Sequence, residues 1–111
     1  MERQSLTFAP AALTVQMRAM VGSVIAAHCD IRSWTLHTVN ARATHVHAVV
    51  TATGMRPEVV MTQFKAWSTR RLREASLLAA DQRLWTRHGS TRYLWDDASL
   101  ERAIVYVRDH Q

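Results

Sequence analysis

The order of apolar patterns along this 111-residue chain predicts an α+β fold, a ferredoxin-like sandwich of antiparallel sheet and helices with an added C-terminal helix. Three observations lead there. Two segments with helical apolar spacing each follow a stretch of strand type. A hairpin rich in β-branched residues stands between them. A last amphipathic segment follows the fourth strand.

Leu6-Thr7-Phe8 reads as a short strand halted at Pro10, stunted for a strand that this fold places at the centre of its sheet. From Ala11 to about His28, Leu13, Met17, Met20, Val21, Val24 and Ile25 recur at helical spacing, and Pro10 suits the first turn. Ile31 to Val39 and Thr44 to Thr53 are two strands, joined through Asn40-Ala41-Arg42 into a hairpin that Gly54 ends. Arg56-Pro57-Glu58 opens a helix running to about Leu78, with Val60, Phe64, Trp67 and Leu72 toward one side. His88-Gly89-Ser90 breaks the chain before a short strand, Thr91 to Trp95. Asp96 or Asp97 then caps a helix through about Asp109, whose apolar face is Leu100, Ala103, Ile104 and Val107.

The length predicts one domain over residues 1–111, and 48% hydrophobic with 21% charged residues is a globular composition with a modest core. No apolar run approaches the roughly 20 residues that span a bilayer, which excludes an integral membrane helix. Cys29 is the single cysteine, so an internal disulfide and a multi-thiolate zinc site are both excluded, and it reads as a small buried residue. The opening MERQSLTFAP lacks the basic-then-apolar layout of a secretory signal, so a cytoplasmic setting is expected.

The formal charge of +5 is unevenly placed. Lys65, Arg70, Arg71, Arg73, Arg83, Arg87 and Arg92 face only Glu74 and Asp81 within their stretch, so that quarter of the chain carries the whole excess. Trp67, Trp85, Tyr93 and Trp95 are interleaved with them. Guanidinium forks fit phosphate oxygens and aromatic rings stack on bases, a pairing that suits single-stranded nucleic acid. A solvated helix face over buried tryptophans has the same composition, and composition leaves both open.

His45-Val46-His47 carries the candidate chemistry. Alternation along a strand puts the two imidazoles on one face, roughly 6–7 Å apart at the backbone, with Val46, Ala48 and Val50 toward the core. Such a pair can converge on one divalent ion, or it can simply decorate a solvated face. Tyr106 and His110, four residues apart, share one side of the last helix. By spacing alone, a half-buried tyrosine and a histidine at a fraying helix end are the simpler explanation. His28, His37 and His88 read as structural or surface groups, and His37 alone sits on a strand that brings it near the pair.

These motifs, taken in order, resemble a known family. His45-Val46-His47 before an apolar strand resembles the histidine–hydrophobic–histidine signature of HUH endonucleases. Tyr106-Val107-Arg108-Asp109-His110-Gln111 is similar to the Tyr-Ile-x-x-(Gln/Asn) helix of the single-tyrosine transposases, including the REP-associated ones. Phe64-Lys65-Ala66-Trp67-Ser68-Thr69-Arg70-Arg71-Leu72 resembles their lysine-bearing second helix. Leu84-Trp85-Thr86, then Gly89-Ser90-Thr91-Arg92, resembles the tryptophan and strand that precede the tyrosine helix. The likeness covers about residues 11 to 111.

The resemblance implies an enzyme that cuts and rejoins single-stranded or hairpin DNA through a 5′-phosphotyrosine link. It implies Tyr106 as nucleophile and His45 and His47 as metal ligands, with His110 where the family has Gln or Asn as third ligand. The implied cofactor is Mg²⁺ or Mn²⁺, and a histidine at position 110 moves preference toward Mn²⁺. Lys65, Arg70, Arg71, Arg73, Arg87 and Arg92 would hold the DNA backbone and Trp85 would stack on a base. Either a homodimer or a monomer is compatible with the family, and no membrane partner is implied. The alternative is a module of the same fold that binds single-stranded nucleic acid and no longer cuts it. The two separate on whether the Tyr106 hydroxyl is needed.

Overall fold

A computed structural model describes residues 3–110, apart from the side chains of His88 and His110. The elements follow the expected order: β1 (Arg3–Pro10), α1 (Val15–Arg32), β2 (Thr35–Ala41), β3 (Val46–Thr51), α2 (Pro57–Glu74), β4 (Trp85–Leu94) and α3 (Asp97–His110). The strands form one sheet in the order β2-β3-β1-β4, antiparallel at every pairing. This is the ferredoxin-like arrangement the sequence predicts, with α3 as the added helix.

The first strand is not stunted. β1 spans eight residues and pairs with β3 on one side and β4 on the other. Its side chains alternate: Gln4, Leu6 and Phe8 are buried on one face, while Arg3, Ser5 and Thr7 point to the other. The polar run Arg3-Gln4-Ser5 hides the strand from a propensity argument, because two flanking ladders hold it in place. Gln4 is fully buried, and its amide donates to the Met55 carbonyl at 2.7 Å.

Helix boundaries depart from expectation through local capping. The Thr14 hydroxyl accepts the Met17 N–H at 3.2 Å, so α1 starts at Val15 rather than Ala11, and Pro10 ends β1. At its end α1 passes His28 to Arg32, where Ser33 turns left-handed (φ 58°) and the Trp34 N–H donates to Cys29 O at 2.8 Å. α2 stops at Glu74, short of Leu78, by the same device: Ser76 has φ 60° and the Leu77 N–H reaches Leu72 O at 2.9 Å. Both are Schellman ends built on serine, without the glycine that normally marks them. β2 consequently begins at Thr35 instead of Ile31, leaving Ile31 an exposed helical residue.

His88-Gly89-Ser90 does not break the chain; it lies inside a ten-residue β4. Gly89 stands opposite Phe8, and a Cβ there would sit 3.0 Å from the Thr7 carbonyl oxygen and 3.5 Å from Met61 Cε. The glycine therefore serves the close approach of β1, β4 and α2.

α1 and α2 cover one face of the sheet, where Leu6, Phe8, Val21, Ile25, Val46, Ala48, Val50, Val60, Phe64 and Leu72 are completely buried. The buried row of α2 is Val60, Phe64, Ser68 and Leu72; Trp67 is half-buried beside it. α3 covers the other face with a much smaller cluster, Val49, Leu94, Ala103 and Val107. Among the described residues no helix is long and apolar enough to cross a membrane.

Candidate active site

Register places His47 under α3. On β3 it stands opposite Thr7 of β1 and Asn40 of β2. Val46, Ala48 and Val50 turn to the α1/α2 core as expected, so His47 and Val49 turn to α3. On α3, burial of Ala103 and Val107 fixes the helix rotation and leaves Tyr106 beside the histidine, with 55% of its surface exposed. The Asn40 amide donates to Val107 O at 3.0 Å, supplying a partner to one of the last carbonyls of the helix. The His47 and Tyr106 rings are 6.2 Å apart at their centroids and inclined by 55°. Both line a cavity of about 510 Å³ between α3 and the sheet.

Burial holds the His47 imidazole below its ordinary pKa, and the neighbouring His45 pushes the same way. His47 is therefore neutral at pH 7, with lone-pair density to offer. Its Nδ1 is buried and has no hydrogen-bond partner among the described residues. His45 lies just outside β3, exposed in the hairpin loop, with Nδ1 3.1 Å from the Thr44 hydroxyl. The strand expected from Thr44 starts at Val46 because the Arg42 N–H bonds to His45 O (2.7 Å) and closes the loop there. A neutral imidazole with an orphaned nitrogen, with a second imidazole close enough to act on its pKa, suits a divalent cation. The expected third ligand, His110, has its backbone at the last position of α3, and its side chain lies outside the described residues. Among the described residues no three His, Cys, Asp or Glu side chains gather as a metal cluster.

His37 does not join the site. It bonds to Thr51, its Nε2 2.7 Å from the hydroxyl, beside Arg3, whose charge adds to burial in lowering its pKa. Thr51 lies four residues along β3 from His47, roughly 13 Å away. His28 is structural: its Nε2–H donates to Gln63 Oε1 at 2.7 Å, inside a ring of Trp34, Phe64 and Trp67.

The basic stretch divides between surfaces. Lys65, Arg73 and Arg87 line a cleft of about 520 Å³ between α2 and the start of β4, together with Arg83 and one acidic residue, Asp81. Backbone carbonyls orient two of these guanidiniums: Arg73 donates to Gln82 O (3.1 Å) and Arg83 to Trp85 O (3.3 Å). Arg70 and Arg71 lie over the Trp67 ring and each pairs with Glu74. Arg92 turns to the opposite face of the sheet and lines the tyrosine cavity. Trp85 is half-buried against Phe8 at 5.1 Å, and its indole N–H donates to Lys65 O and Thr69 Oγ1, both at 3.0 Å. Away from Tyr106, the exposed aromatic surface is Trp95, stacked on Tyr93 at 4.9 Å.

Sequence reasoning misses five further polar residues of the cavity. Ser5 and Thr7 come from the alternating face of β1, Ser90 and Thr91 from β4, and Arg102 from α3. Arg102 stands four residues before Tyr106, so helical spacing already puts them on one face.

Comparison with known proteins agrees with this architecture. The family profile described as "Transposase IS200 like" matches residues 10–109. A candidate transposase from Deinococcus radiodurans R1 superposes with a TM-score of 0.70 at 14% identity, covering 100% of this chain and 92% of the other. A REP-associated tyrosine transposase, solved bound to a REP hairpin, superposes with a TM-score of 0.72 at 12% identity, over 96% of this chain and 64% of that one. None of the curated proteins matches the sequence. At these identities the structures speak for the shared fold, and the profile spans nearly the whole chain: it belongs to the IS200-like transposase family.

Proposed function

We propose that this transposase cuts and rejoins single-stranded DNA beside a hairpin, with Tyr106 as the nucleophile. The observation that carries the reading is the meeting of Tyr106 and His47 across one cavity, delivered by different elements and held by separate packing. The Tyr106 phenol oxygen attacks phosphorus and the bond to the 3′ oxygen breaks. The 3′ oxygen leaves as a hydroxyl, taking up a proton, and the 5′ phosphate stays on the tyrosine. A second 3′-hydroxyl reverses the step and reseals DNA without an external energy source, because the phosphodiester is retained in the phenol ester.

His45 and His47 would hold a divalent metal, Mg²⁺ or Mn²⁺, with His110 as the third ligand. Such an ion, when bound, supplies charge stabilisation at the scissile phosphate. His47 contributes a neutral imidazole, kept so by burial. Tyr106 is exposed enough for a strand to reach its hydroxyl while its helix is anchored at Ala103 and Val107. Lys65, Arg73 and Arg87 would grip the backbone outside the site, with Arg70 and Arg71 at its margin. A hairpin is the expected DNA form, by analogy with the REP-associated neighbour.

A denaturing gel tests the reading. Labelled single-stranded hairpin DNA from the flanks of the gene is incubated with the protein and Mg²⁺ or Mn²⁺. A metal-dependent covalent adduct that vanishes in Tyr106→Phe is expected. Salt-sensitive binding without an adduct under either metal would replace the nuclease by a binding module.

A further inference from the structure

Building on that reading, we infer that Arg102 and Arg92 form a clamp for the scissile phosphate, one guanidinium on the tyrosine helix and one on the sheet. Both line the cavity that His47 and Tyr106 line, Arg102 from α3 and Arg92 from β4. No carboxylate lines that cavity, whereas Ser5, Thr7 and Ser90 do; Thr91 lines it too, but its hydroxyl turns away to the Glu58 carboxylate at 3.0 Å. Two cations and a set of neutral donors make a site for an anion. Among the described residues neither guanidinium makes a salt bridge. Arg102 donates to Ser99 Oγ at 3.1 Å. The carboxylate it acts on is Asp96, at the start of α3, which hydrogen bonds from Ser99 hold below its usual range before the charges of Arg102 and Arg3 add to the effect.

The placement suits the chemistry of the step. Arg102 lies one helical turn before Tyr106 on the same face, so a phosphate at the phenol oxygen is within the span of its long side chain. Arg92 projects from the strand beside β1, opposite Ser5, and approaches from the sheet side. Attack at phosphorus gathers negative charge on the non-bridging oxygens, where planar guanidinium donors are worth most. A single-stranded phosphodiester fits; a duplex backbone would have to enter between helix and sheet. Arg102 also explains a charge that the basic stretch does not contain: it lies outside that stretch yet at the site.

The test uses the full chain and the labelled hairpin oligonucleotide. Binding is read by anisotropy from low to high salt, and adduct formation is read separately. Arg102→Gln and Arg92→Gln are each expected to flatten the salt dependence by about one counterion. Each should also slow adduct formation, on the order of 10- to 100-fold. Arg102→Lys should keep the salt slope but lose rate, because it retains the charge without the fork. Arg108→Gln removes an equal charge from the same helix, at a residue paired with Asp109 and outside the cavity, and should change neither. Wild-type slope and rate in both glutamine variants would overturn the clamp, as would an equal loss in Arg108→Gln. If the wild-type protein forms no adduct, the nuclease reading fails, while the slopes still decide whether the two arginines hold a phosphate.

Discussion

The two faces of the sheet are built to different standards. Under α1 and α2, side chains from β1, β3 and both helices are completely buried, among them Leu6, Phe8, Val46, Ile25, Phe64 and Leu72. Under α3, four apolar residues are buried, none larger than leucine, and the space beside them is a cavity with polar lining residues. One face carries most of the apolar burial and hence most of the folding free energy. The other is left thin beside Tyr106 and His47, where the proposed function would bring a strand of DNA. β1 links the two, since its even residues feed the first face and its odd residues line the second.

The largest expected break in this contrast is Phe64→Ala. Phe64 is fully buried and meets Phe8, Trp34 and His28, so its loss should cost about 3–5 kcal/mol in urea unfolding and threaten folding outright. On the other face Val107→Ala removes two methyls, worth about 1–2 kcal/mol. It should nevertheless reduce adduct formation more than its stability cost suggests, because Val107 seats Tyr106. An equal stability loss at the two positions would remove the distinction between the faces.

Salt dependence sharpens it further. Arg73→Gln and Arg87→Gln, in the α2–β4 cleft, should each lower the slope of hairpin binding by about one, without changing where the DNA is cut. A shifted cleavage position would mean that the cleft belongs to the active site.

The smallest effect concerns pH. His37 and His47 both lie on the α3 face, and burial first, then Arg3 or His45 respectively, lowers their pKa from 6.5. The unfolded chain binds protons near that ordinary value while the folded chain resists them. Stability is therefore full above about pH 6.5 and falls as pH drops toward the folded-state values. Urea midpoints at pH 8 and pH 5.5 should show the fall, and His37→Gln should reduce it. Midpoints that hold constant or rise on acidification would contradict the buried neutral histidines.

Alternation and helical spacing make the element order, the core-facing Val46, Ala48 and Val50, and the Ala103/Val107 seat of Tyr106 legible before any coordinates. What stays hidden is hidden for physical reasons. β1 looks short because Arg3, Gln4 and Ser5 have little strand propensity, and only pairing on both sides extends it. The ends of α1 and α2 lack their usual glycine, since Ser33 and Ser76 take the left-handed turn. Gly89 signals a break in sequence but a close approach in space. Trp85 looks like a stacking residue, yet its indole N–H is engaged by α2. Charge counting groups Arg92 with the arginines of α2, although the pleat sends it to the opposite face, where it joins Arg102.

If the thin face of the sheet is the chemical one, Tyr106 is its nucleophile. Peptide mapping of the protein–DNA adduct by mass spectrometry, after nuclease digestion, tests it most directly. A nucleotide remnant joined through its 5′ phosphate to the peptide containing Tyr106, and to no other, is expected. A remnant on another residue, a link through a 3′ phosphate, or cleavage of the hairpin with no adduct would contradict it.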